Sequence, residues 1–190
     1  NAYSFFGRHD VLSIHHTYPL YNQENTLVGV FATEIVLTEI SDFLSTLDVG
    51  QTGEVFIIEH SGLMVATSTD QQLAYLDESR QQTIRLHVTD SNAPIIQASA
   101  AYLTERFGDF ETIHNDQSLT FNLDGEQHFL QVSHFHANDG IDWLIVTTVP
   151  ESDFMAQINA NTRTTFLLCL GALALSLLVG IYTARRIIRP

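Results

Sequence analysis

The segment Thr165–Ala184, TFLLCLGALALSLLVGIYTA, runs for twenty residues without a charge, and it constrains the chain more than any other stretch. At about 1.5 Å per residue, a helix of this length reaches about 30 Å, the thickness of the hydrocarbon core of a bilayer. It is expected to cross a membrane. Arg185, Arg186 and Arg189 follow it directly, while the preceding flank offers Arg163 alone. That arginine excess predicts a cytoplasmic C-terminus and an extracytoplasmic head. The start at Asn1 and the stop at Pro190 are read as the ends of a piece of a longer chain.

About 160 residues precede the span, enough for one domain with a sizeable core, or one domain and part of another. All 22 acidic residues lie there against five arginines, the chain has no lysine, and the net charge is −14. A phosphate backbone would be repelled, so nucleic acid is excluded as a partner. Cys169 is the only cysteine and lies inside the apolar span, which rules out an intrachain disulfide and leaves packing to stabilise the head. Residues 1–15 include Arg8, His9 and Asp10 and lack the continuous apolar run of a signal peptide.

Along the head, 11–18 (VLSIHHTY) and 27–36 (LVGVFATEIV) are rich in β-formers, and PLYNQEN between them makes a hairpin. Leu37, Ile40, Phe43, Leu44 and Leu47 then recur at helical spacing, with Thr38 as N-cap and Gly50 as the stop. EVFIIE and LMVATS, joined through Gly62, form a tight hairpin. Residues 69–90 are polar and weakly periodic and are assigned to a loop with at most short turns. A second helix is expected over 93–107, capped by Ser91 or Asn92, with Pro94 in its first turn. Three strands follow, over 118–123, 126–136 and 141–149, turning at Asp124-Gly125 and at Asn138-Asp139-Gly140.

This order predicts an α+β, PAS-like fold, a five-stranded antiparallel sheet with flanking helices. Pro150 ends the last strand and is placed at the first position of a new helix, with Glu151 and Asp153 set against its N-terminal dipole. No Gly or Pro follows before Arg163, so that helix is expected to continue unbroken through the span.

The stretches Leu27-Val28-Gly29-Val30, ISDFLSTL followed by Gly50-Gln-Thr-Gly53-Glu-Val-Phe-Ile-Ile, Gly62-Leu-Met-Val-Ala-Thr-Ser68 and Asp142-Trp143-Leu-Ile-Val resemble the double Cache sensors of bacterial transmembrane receptors. The juxtamembrane VPESDFMAQINANTRTT is similar to that of cyanobacterial hybrid sensor kinases, and Arg185-Arg186-Ile-Ile-Arg-Pro190 resembles the start of a HAMP linker. The resemblance implies the tail of a membrane-distal module over 1–47, a membrane-proximal module over 51–150, a juxtamembrane helix over 151–164, the span over 165–184 and HAMP over 185–190. It also implies a small-molecule ligand such as an amino acid or organic acid, a homodimer in the bacterial inner membrane, and a missing output domain. A histidine kinase is the leading output. A nucleotide or diguanylate cyclase, a methyl-accepting chemoreceptor and a ligand-free dimeric spacer are the alternatives.

In amino-acid-binding relatives an acidic residue after the GVVG-type strand pairs with the ligand ammonium, and the matching position here is Glu34. Tyr75 and Tyr102 are pocket candidates by their place near the segment that covers the sheet in PAS-like folds, each with a polar tip. Phe56, Phe121, Phe129, Phe135 and Trp143 are assigned to core packing. Nine histidines raise the question of metal. His134 and His136 share a strand face, while adjacent His15 and His16 point to opposite faces. No further ligands stand at a recognised spacing, so no metal site is assigned and these are read as hairpin-end histidines. No nucleophile elbow, P-loop or dinucleotide fingerprint is present, so neither catalysis nor a cofactor is expected of this segment.

Overall fold

A computed structural model of the chain describes residues 2–6, 11–77, 82–137 and 140–188. Residues Asn1–Glu151 form one compact unit and Ser152–Pro190 a second. Strands β1 (Ala2–Phe6), β2 (Val11–Tyr21) and β3 (Leu27–Val36) make an antiparallel sheet in that order. The β2–β3 turn is held by Asn22, whose Oδ1 accepts from the backbone N–H of Glu24 and Thr26. The expected hairpin is present, with β2 carried past Pro19 to Tyr21.

Helix α1 (Leu37–Ser45) follows without a break, and its N-cap is Val36 rather than Thr38, with no side-chain cap. Leu37 and Leu44 are buried, whereas Phe43 lies exposed on the same periodic pattern. The helix ends at Thr46, ahead of Gly50, whose φ of 86° serves the following loop.

The five-stranded antiparallel sheet comprises β4 (Glu54–Glu59), β5 (Met64–Thr67), β8 (Gln117–Leu123), β9 (Glu126–Ala137) and β10 (Ile141–Pro150), in the order β5-β4-β10-β9-β8. β4 is an interior strand, and VFII is buried on both faces, which is why it reads as a continuous apolar run instead of an alternating one. Asp124 (φ 52°) and Gly125 (φ 86°) close the β8–β9 hairpin in the left-handed geometry that a two-residue primed turn needs. Of the second expected turn, Asn138 and Asp139 lie outside the described residues.

Register places Phe56 beside Val146 and Val146 beside Val132 on one face. Helix α2 (Pro94–Phe107) packs on that face. Ser99 Oγ donates to the Ile95 carbonyl at 2.7 Å, so the buried Thr148 hydroxyl, 2.9 Å away, donates to Ser99. The N-cap of α2 is Ala93, not Ser91 or Asn92; Ser91 Oγ instead accepts from the Ala93 N–H. Phe56, Phe121 and Trp143 are buried as expected, but Phe129 and Phe135 are 40% and 44% exposed.

The 69–90 stretch is not a loop. It holds the hairpin β6 (Ala74–Asp77) and β7 (Gln82–Arg85) and a 3-10 turn over Val88–Asp90. Strands this short, with few β-formers, leave no periodic trace in the sequence. Gly62 (φ 79°) carries the β4–β5 turn with His87 packed against it. Pro150 closes β10 opposite His128, and α3 begins at Glu151 and runs to Ile188 as one 38-residue helix. Its Thr165–Ala184 portion has a mean hydropathy of 2.3 and is long and apolar enough to cross a membrane. Of the expected HAMP start, Arg189 and Pro190 fall outside the described residues.

Candidate functional site

One face of α1 and the segment leading into β6 line a cleft of about 500 Å³. Leu37, Thr38, Ser41, Asp42 and Ser45 recur at helical spacing to form one wall. Thr69, Asp70, Gln71, Gln72, Tyr75 and Thr83 form the other, over a floor that includes the buried Leu12. The α1 wall is tied to the end of β5, just ahead of the second wall, where Ser41 Oγ accepts from the Thr67 N–H at 3.2 Å. Gln71 is held by Ser91 Oγ and the Asn92 N–H, both donating to its side-chain oxygen. Hydroxyls, amides and two carboxylates line the cleft, and its described lining holds no cationic side chain.

Tyr75 lines this cleft, at 49% exposure. Tyr102 does not; it stacks on Phe121 (5.4 Å between ring centroids) and packs against the core. Glu34 stands opposite His15 on the β2–β3 pair, 3.3 Å from its Nε2. The three residues thus lie in three different settings. Asp42 and Asp70 were missed in sequence. The signal for Asp42 is its place on the Leu37–Ser41–Ser45 face; Asp70 leaves none, because its wall is a hairpin with no periodic signature.

A second cluster stands at the far end of the α2-covered sheet face. His134 Nε2 lies 2.6 Å from Asp142 Oδ1, His60 Nε2 lies 3.3 Å and His136 Nδ1 3.6 Å from the same oxygen. His134 and His136 do share a face, as their alternation implies. His60 and Asp142 join them because β4 and β9 both pair with β10, a non-local register that sequence spacing cannot display. One ligand atom each from His60, His134 and Asp142 lies within 4.8 Å of the others. Partial burial of Asp142 pushes its carboxyl pKa up, but the His134 hydrogen bond, with the charge and hydrogen bond of His60, outweighs this and holds it below the usual range.

A profile of the Cache domain family matches residues 6–158. The chain is also similar in structure to the periplasmic sensory domain of the Campylobacter jejuni chemoreceptor Tlp1, at 12% identity and a TM-score of 0.48, covering 80% of this chain and 48% of that one. A second likeness is to the ligand-binding domain of the Pseudomonas fluorescens chemoreceptor CtaA in complex with L-serine (11% identity, TM-score 0.47, 80% and 54% covered). A third is to the extracellular domain of mmHK1S-Z2, described as a histidine kinase (12%, 0.46, 81% and 52%). The chain spans about half the length of these three proteins. It belongs to the Cache domain family, whose domains are sensor modules and not catalysts.

Proposed function

We propose that this Cache domain is the extracytoplasmic sensing and transmembrane signalling segment of a bacterial receptor, with 1–47 as the tail of a distal module and 51–150 as the proximal one. The observation that carries the reading is α3, one 38-residue helix that begins directly after the last sheet strand and includes the twenty-residue apolar stretch. The helix is the proposed route by which a ligand signal travels to the membrane. Arg185, Arg186 and Arg189 put the C-terminus in the cytoplasm, where a HAMP linker and a histidine kinase complete the receptor as a homodimer. A ligand shifts output only through its differential affinity for two arrangements, and about 1.4 kcal/mol changes their ratio tenfold.

Inserting one residue beside Asn159 rotates everything beyond it by about 100°. In a receptor carrying its output domain, that insertion is expected to change basal or stimulated phosphorylation. Output identical to wild type would sink rigid transmission.

The ligand proposed is a small amine, an amino acid among them, held in the cleft with its ammonium at Asp42 and Asp70 and Tyr75 against its apolar part. Two carboxylates without a cation among the described lining residues disfavour an organic acid. Glu34 serves an ammonium only by exchanging its His15 partner, and Tyr102 acts by supporting α2. A thermal shift with an amine panel, lost in Asp42→Asn and kept in Tyr102→Phe, is expected; equal shifts in both variants would place the ligand elsewhere.

A further inference from the structure

We propose that His60, His134 and Asp142 form a three-residue binding site for a divalent transition-metal ion of the zinc class. His60 Nδ1 lies 3.0 Å from the Phe110 carbonyl oxygen, which can only accept, so Nδ1 carries the hydrogen. When His60 is neutral, its Nε2 lone pair is free to serve as a metal ligand beside Asp142 Oδ1, 3.3 Å away.

His134 Nε2 and His136 Nδ1 converge on the same oxygen at 2.6 Å and 3.6 Å. His60, His134 and Asp142 each turn one ligand atom toward a common point, all within 4.8 Å of one another, which is the convergence a shared cation needs.

The dimensions fit. Tetrahedral zinc with ligands at about 2.0–2.1 Å spaces those ligand atoms about 3.3 Å apart. The His60–Asp142 separation matches, and His134 needs to withdraw by less than 1 Å on that geometry. Imidazole with carboxylate suits zinc, copper(II) or nickel rather than calcium or magnesium, which select oxygen. The His60 N–H to backbone carbonyl bond is the outer-shell contact that fixes the tautomer and orientation of metal-ligating histidines.

Access and charge agree with this use. His60 and Asp142 line an open cleft of about 310 Å³, and the acidic chain draws cations toward it. An ion there would pin β4, β9 and the N-terminal end of β10 beside the 3-10 turn at Phe110–Thr112. This site is separate from the α1 cleft, and its test does not depend on receptor output.

Zinc is titrated into the tag-free full chain in detergent micelles against a chromophoric chelator. Uptake near one equivalent is expected in the wild type, with affinity weakened about tenfold or more in His134→Gln and in Asp142→Asn. Asp142→Asn swaps a side chain that is 44% exposed for one of the same shape, so its weaker binding is not attributable to lost packing. His16→Gln, an exposed β2 histidine outside the cluster, is expected to bind as wild type. In a second readout, copper(II) is expected to quench Trp143, the sole tryptophan and the neighbour of Asp142, in the wild type but not in His134→Gln. No stoichiometric zinc uptake by the wild type, or uptake undiminished in both His134→Gln and Asp142→Asn, would overturn the site and leave a histidine–carboxylate proton network in its place.

Discussion

Strands β3 and β4 carry similar apolar strings, LVGVFATEIV and EVFIIE, yet Phe56 in β4 is fully buried while Phe31 in β3 is 57% exposed. The difference lies in their neighbours. β4 sits between β5 and β10, with α2 over one face. β3 is an edge strand, and Val28 and Val30 on one face and Leu27 and Phe31 on the other are all exposed. Its partner β2 shows both conditions along one strand: Leu12, Ser13 and Ile14 are buried near α1, and Tyr18, Leu20 and Tyr21 are exposed. Strand formation is a local property, whereas burial is conferred by layers that come from elsewhere in the chain.

The comparison breaks most readily at its two phenylalanines. Phe56→Ala is expected to cost about 3–5 kcal/mol, the range for deleting a large buried side chain together with the cavity it leaves. Phe31→Ala is expected to stay within about 0.5 kcal/mol. Chemical denaturation followed by Trp143, which is buried on β10 next to β4, reads both. Comparable losses at the two positions would show that the hairpin is covered in solution. Under the proposed division, a longer chain that supplies the rest of the distal module should raise the Phe31→Ala cost toward the core range.

The same contrast explains what the sequence could tell. The β8–β9 hairpin was legible from Asp124-Gly125 because one two-residue turn and two alternating strands are local facts. The unbroken α3 was legible from the lack of Gly and Pro and from the length of the apolar run. By contrast, β6–β7 has neither period nor strong turn residues, and it builds the wall of the cleft that Tyr75 occupies. The His60–His134–Asp142 cluster depends on pairing across 82 residues between His60 and Asp142, and no spacing rule reaches that far. Phe43 misled for the opposite reason. Its helical spacing is real, but it points where no layer arrives, at 60% exposure.

A finer division between the regions runs through their glutamates. Glu34 on β3 has His15 across the pair, whereas Glu54 at the start of β4 has its Oε2 buried without a hydrogen-bond partner among the described residues. Burial raises the Glu54 carboxyl pKa above its ordinary 4.5. The folded state then holds a proton that the unfolded state has released, so stability falls as pH rises between the two pKa values. The penalty is absent below the ordinary value and complete above the raised one. Glu54→Gln removes the titration and is expected to stabilise the chain slightly at pH 7, by a fraction of about 1 kcal/mol, because the side chain is still partly solvated. The advantage should vanish on acidification below about pH 4, where both versions are neutral. Paired denaturation curves across that range decide it. An advantage that persists at low pH would mean that Glu54 costs stability through shape rather than charge, and the two glutamates would then differ in packing alone.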